Sequence, residues 1–154
     1  MTTEIAIMCG LPRSGKTTYA KELQKQGWTR VCPDEIRLAL HGEAFIGRAE
    51  PFVWAIAETM ARALLLGGHR VVIDAVNSTV ERRRQWVCLA REFHKELQIY
   101  VVPTPYEVCL KRRGDLELHV LERMNRQFEQ PTSDEGTIIM AVLGVGGLVQ
   151  VTEG

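Results

Sequence analysis

The stretch Gly10-Leu11-Pro12-Arg13-Ser14-Gly15-Lys16-Thr17 fits the pattern GxxxxGK[ST], and its flanks decide what that pattern means. Ahead of it, Ile5 to Cys9 is a short continuous apolar run, which suits a strand buried on both faces of a parallel sheet. Behind it, Lys16 to Gln26 carries helix formers with Tyr19, Ala20 and Leu23 on one side, and Gly27 supplies the stop. Strand, glycine loop and helix in that order aim consecutive backbone N–H groups and a helix N-terminus at one point, where phosphate oxygens are bound. Gly10 and Gly15 permit the turn and the close backbone approach.

This is a P-loop, and its physics assigns roles. Gly10, Leu11, Pro12, Arg13, Ser14, Gly15, Lys16, Thr17 and the following Thr18 are expected to cradle the phosphates of ATP. Lys16 is expected to contact the β and γ phosphates, and Thr17 to ligate Mg²⁺. Arg13 stands where many P-loops have a small residue, and the sequence leaves open whether it reaches to solvent or to an acceptor.

Working outward, Trp28 to Cys32 reads as a second strand closed by Pro33, with Asp34 as N-cap of a helical turn through Leu38. Pro51 opens a helix to Leu66 in which Phe52, Val53, Ile56, Met60, Ala63 and Leu64 recur at helical spacing. Arg70 to Ile73 is a third strand that ends at Asp74. Thr79 is placed to cap a helix through Phe93, with Trp86, Ala90, Phe93 and Leu97 as an apolar stripe opposite the arginines. Ile99 to Val102 is a fourth strand. Pro105 fits the first turn of a short helix to Arg112, and Asp115 to Phe128 reads as another after the Gly114 break. Ile138 to Leu143 is the fifth strand, and the glycine-rich Gly144 to Gly154 is left unplaced. Strands alternating with helices predict an α/β fold, a parallel five-stranded sheet with helices on both faces and ligands at the carboxyl ends of the strands.

One domain over residues 1–154 is expected from the length, without disulfide or metal staples. Apolar residues make up 45% and charged residues 25%, which argues against disorder or a fibrous architecture. Lys plus Arg and Asp plus Glu balance at 19 each, so any nucleic-acid footprint must be local. The local basic clusters are Arg82-Arg83-Arg84, read first as a solvated helix face, then Lys111-Arg112-Arg113, and Arg123 with Arg126. Cys9, Cys32, Cys88 and Cys109 have no metal-ligand spacing and read as small buried hydrophobes in a reduced compartment. Met1 to Glu4 has no basic region and glycines follow soon after, so neither a signal peptide nor a membrane span is expected, and the location expected is cytoplasmic.

Two carboxylates carry the remaining chemistry. Asp74, after the β-branched run, resembles a Walker B aspartate that holds magnesium directly or through water, with a turn or helix-cap role as the plain alternative. Asp34 follows a strand beside the P-loop, where a carboxylate can accept the proton a hydroxyl loses as it attacks the γ phosphate. Arg37, three residues on, shares a helical face with Asp34 and is placed to bind an anionic group of the acceptor. The alternative is that Asp34 only caps the turn and Arg37 pairs with a surface acid.

In order and approximate spacing, GLPRSGKTT, CPDEIR, VVIDAVNSTVERR, EVCLKRR and QFEQPTSDEG resemble the P-loop polynucleotide 5′-hydroxyl kinase family with its bacterial and phage AAA-type relatives. The resemblance spans almost the whole chain. It implies transfer of the γ phosphate of ATP to a 5′-hydroxyl nucleic acid end, with Asp34 as general base and Arg37 as ligand of an acceptor phosphate. It also implies a small helical lid, about residues 112–130, with Arg112 or Arg113 clamping the donor phosphates and Arg123 or Arg126 behind them. Relatives have several residues between two lid arginines, whereas here Arg112 and Arg113 run straight into Gly114. The same scaffold serves kinases of small hydroxylated metabolites, nucleosides or antibiotics, and neutral overall charge favours that alternative. A third reading is an ATP-binding switch without transfer.

Overall fold

The computed structural model describes residues 4–42, 45–144 and 147–152, with side chains as far as 141. The elements in chain order are β1 (Glu4–Cys9), α1 (Lys16–Lys25), β2 (Thr29–Val31), α2 (Pro33–His41), a 3₁₀ turn (Gly47–Ala49), α3 (Glu50–Leu66) and β3 (Arg70–Ile73). They continue with α4 (Val80–Glu92), β4 (Gln98–Val101), α5 (Tyr106–Lys111), α6 (Leu118–Gln127), β5 (Thr137–Gly144) and β6 (Gly147–Thr152). The sheet order is β2-β3-β1-β4-β5-β6. β1 lies between β3 and β4 and is parallel to both, with Ile7 level with Ile73 on one side and Ile99 on the other. The five expected parallel strands are present. To them β6 adds an antiparallel edge from the tail that the sequence left unplaced, with Met140 opposite Val151.

Alternation along the strands divides the core. Ile5, Ile7, Cys9, Val71, Ile73, Ile99 and Val101 point to the face covered by α3 and α4. Ala6, Met8, Val72, Tyr100 and Ile139 point to the opposite face, against Tyr19, Ala20 and Leu23 of α1. Both faces being buried explains why β1 and β3 read as unbroken apolar runs. Leu11, Cys109 and Leu121 form a small separate cluster that ties α5 and α6 to the P-loop.

Several local expectations are corrected. Asp34 is not an N-cap: α2 starts at Pro33, the cap position is Cys32, and Asp34 lies inside the first turn. Proline at the first helical position gives up an N–H that has no partner there anyway, so it starts the helix one residue earlier. The buried stripe of α3 is Val53, Ala57, Ala61 and Leu65, while Phe52 is 69% exposed and Met60 41%. Small alanines let the helix approach the sheet, and the bulky side chains turn outward. Helix α4 ends at Glu92, so Leu97 is buried from outside it. The last helix begins at Leu118, with Asp115 in the preceding turn, and Pro105 caps α5 from just outside it. Cys88 is exposed rather than buried. Thr79 caps α4 as expected, accepting from the Arg82 N–H.

The arginine run is also not one solvated face. Arg84 is exposed and Arg82 half-buried, but Arg83 is fully enclosed on the same side of α4 as Trp86. Its Nε donates to Glu135 at 2.7 Å and its Nη1 to the Asn77 carbonyl at 2.9 Å.

Candidate active site

At the carboxyl end of β1, the chain turns into the loop that the motif predicts. A Cβ on Gly10 would sit 3.0 Å from the Val102 carbonyl, and Gly15 has φ +105°, so both glycines are required by geometry. Arg13 also lies at positive φ, +67°, a conformation that costs a non-glycine residue on the order of 1 kcal/mol. It reaches outward to Asp115 at 3.0 Å, which answers the question its sequence position left open. The buried Ser14 hydroxyl has no hydrogen-bond partner among the described residues. An unpaired buried hydroxyl in a cradle of N–H groups fits an incoming phosphate.

Lys16 is buried, and its ammonium donates to the Leu11 carbonyl at 2.7 Å. Burial holds its pKa below the usual lysine value, opposed mainly by Asp74 and also by Asp34. Thr17 donates to Asp74 Oδ2 at 3.0 Å, bringing together the two residues expected to hold magnesium. A hydroxyl and one carboxylate fit that ion, which takes few protein oxygens and fills its sphere with phosphates and water. Asp74 is also gripped by Arg30, whose Nε and Nη2 lie 2.8 and 2.7 Å from the same Oδ2. Burial alone would lower the Arg30 pKa, but hydrogen bonds to Glu35 and Asp74 raise it. Thr17 and Asp74 are the residues that would hold that ion.

Asp34 and Arg37 do share a face, with Nη1 to Oδ1 at 2.6 Å. The Asp34 side chain is 88% exposed, whereas Arg37 is mostly covered. Sequence reasoning missed Glu50, which takes the other edge of Arg37 in a bidentate pair at 2.8 and 2.5 Å. That pair holds the Glu50 carboxyl below its ordinary pKa against an opposing effect of burial. Arg30 was missed too. Its signal was a charged residue inside a strand that should be buried, which demands a partner.

The two arginines expected in a lid differ. Arg112 lines a cleft of about 540 Å³ with Ser14, Gly15, Thr18 and Thr104, and its Nη1 lies 3.4 Å from the Arg13 carbonyl. Arg113 turns away, donating to the Leu116 carbonyl at 3.3 Å. Arg123 and Arg126 are exposed on α6. The cleft has the size of a small-molecule site and opens beside the P-loop. Among the described residues, no helix is long and apolar enough to cross a membrane.

Fold and site together define a kinase-like P-loop domain. Residues 5–131 match the model of an AAA domain family, AAA_33, and the chain belongs to that family. Over 143 residues the chain is 24% identical to the bifunctional polynucleotide phosphatase/kinase of Schizosaccharomyces pombe, covering 86% of this chain and 31% of that protein. A chain of the Pnkp1/Rnl/Hen1 complex superposes with a TM-score of 0.67 at 28% identity, covering 76% of this chain and 41% of that one. The Mycobacterium tuberculosis APS kinase CysC, solved with AMPPNP and APS, shares the fold at TM-score 0.64 and 18% identity, over 89% and 87% of the two chains. The chain therefore spans well under half the length of the first two. The resemblance to polynucleotide kinases seen in the sequence is borne out at the level of family.

Proposed function

We propose that this chain is an ATP-dependent kinase that moves the γ-phosphoryl group to the 5′-hydroxyl end of a polynucleotide. The observation that carries the reading is the position of Asp34: exposed to an acceptor, held by Arg37, and set in the first turn of α2 just beyond the carboxyl end of β2. The acceptor oxygen forms its bond to the γ phosphorus as the bond to the β–γ bridging oxygen breaks. The hydroxyl proton passes to the Asp34 carboxylate, and ADP leaves. Lys16 exchanges the Leu11 carbonyl for phosphate oxygens and follows the developing charge. Arg112, already facing the loop, is the better placed of the two lid arginines to clamp the donor, within a lid over about residues 112–130. Thr17 and Asp74 would hold magnesium, which would neutralise phosphate charge. The similarity to a polynucleotide phosphatase/kinase supports the choice of acceptor.

The balanced charge of the chain favours a second reading, a kinase of a small hydroxylated molecule. Labelled ATP offered with a 5′-hydroxyl oligonucleotide, its 5′-phosphorylated counterpart, a nucleoside and a sugar alcohol separates the two. Label on the first alone supports the proposal, and label only on a small alcohol overturns it.

A further inference from the structure

Beside Arg37, which holds Asp34, a second guanidinium lies on the same tryptophan, and its surroundings differ in kind. Arg82 lies over Trp54 of α3, with its guanidinium carbon 3.9 Å from the ring centroid. It is half-buried, yet among the described residues its guanidinium makes no hydrogen bond or ion pair. The Arg37 guanidinium carbon lies 5.8 Å from the centroid of the same indole, but that guanidinium is neutralised by Glu50 and Asp34. The charged groups around Arg82 are thus Glu50, Arg37 and its neighbour Glu81. Burial, and after it the like charge of Arg37, depress the Arg82 pKa while Glu50 opposes them.

Arg82 also sits in the first turn of α4, where the positive end of the helix dipole disfavours a cation. A desolvated, unpaired arginine beside a like charge and a helix N-terminus is costly on its own, and a phosphate would satisfy all three at once. The stacking on Trp54, itself fixed to α4 by Gln85 Nε2 donating to the Trp54 carbonyl at 3.3 Å, leaves the guanidinium edge free to take that phosphate.

We infer that Arg82, laid on Trp54, binds the phosphate next to the reacting nucleoside of the acceptor, while Arg37 is occupied in holding Asp34. The inference rests on the proposed function and refines its acceptor site. It departs from the assignment of that phosphate to Arg37 that the sequence resemblance implies.

Titration calorimetry with a nucleoside and the same nucleoside carrying a 3′-phosphate tests it, using wild type, Arg82→Gln and Arg82→Lys. Wild type should prefer the phosphorylated ligand by roughly tenfold or more, as charge-assisted hydrogen bonds do. In Arg82→Gln the preference should fall to within about threefold, and Arg82→Lys, with a charge but no planar fork, should fall between. The slope of log affinity against log salt for a 5′-hydroxyl single strand should shrink by about 0.7 in Arg82→Gln. A wild-type preference that survives undiminished in both variants assigns the phosphate to Arg37 and overturns the inference. Should Arg82→Gln fail to fold by its melting curve, Arg82→Lys alone decides by the same ratio. Failure of wild type itself to bind either the 3′-phosphate or the oligonucleotide would sink the polynucleotide reading and this inference with it. That outcome appears before any mutation is made, so the two failures are distinct.

Discussion

The guanidinium of Arg83, wholly enclosed, meets the Glu135 carboxylate at 2.7 Å and so joins the first turns of α4 to the loop before β5. The same guanidinium bonds the Asn77 carbonyl, and Asn77 in turn donates its amide to the Met8 carbonyl behind the P-loop at 2.7 Å. Removing one member strands the other charge. Glu135→Leu should therefore cost about 3–5 kcal/mol of stability, and the pair Arg83→Met with Glu135→Leu clearly less. Urea unfolding of both proteins checks this, and equal losses would contradict the buried pair.

Glu50 sets a pH dependence. Its carboxyl pKa is depressed in the folded state, chiefly by the hydrogen bonds from Arg37, so its contribution is complete above the unfolded value. It is lost as pH falls below about 4 and through the lower folded value. Glu50→Gln should be less stable than wild type at neutral pH, with the gap closing on acidification. A gap constant from pH 7 down to 3 in thermal melts would mean the pair adds nothing.

How far the sequence showed all this depends on which physical signal a residue leaves. The P-loop was legible because glycine spacing, a buried strand and a helix start all agree, and Thr17 meets Asp74 as the two motifs suggest. Strands β1 and β3 were legible because both their faces are buried. The α3 stripe was misplaced because large side chains dominate a periodicity reading, while close packing on a sheet selects Ala57 and Ala61. Arg83 escaped because a run of three arginines looks the same whether or not the middle one has a distant Glu135 to pair with. Glu50 escaped likewise, since its bond to Arg37 crosses thirteen residues and belongs to tertiary structure. β6 escaped because its hydrogen-bonding partner, not its glycine-rich composition, makes it a strand.

The cysteines divide by exposure. Burial pushes the Cys9 thiol up to about 11 and raises the thiols of Cys32 and Cys109, whereas Cys88 is exposed on α4. Brief iodoacetamide treatment of the native protein near pH 8 should modify Cys88 first, read by peptide mass. Faster labelling of Cys9 would contradict the packing around β1.

Lys16→Ala should abolish labelling of every acceptor while leaving the melting temperature within a few degrees, because the loop backbone rather than the ammonium shapes the turn. In the folded variant, transfer at the wild-type rate would remove the P-loop from the chemistry altogether.

In the proposed reaction, Asp34 takes the acceptor proton. Asp34→Asn keeps the shape, and an amide oxygen can still accept from Arg37 Nη1, so it separates chemistry from folding. Single-turnover transfer from labelled ATP to a 5′-hydroxyl oligonucleotide, measured beside the melting curve, is the direct test. The expected result is a rate lower by roughly a hundredfold to ten-thousandfold, with ATP affinity and melting temperature close to wild type. A near-wild-type rate accompanied by a melting temperature several degrees lower would show that Asp34 serves the first turn of α2 and not the reaction.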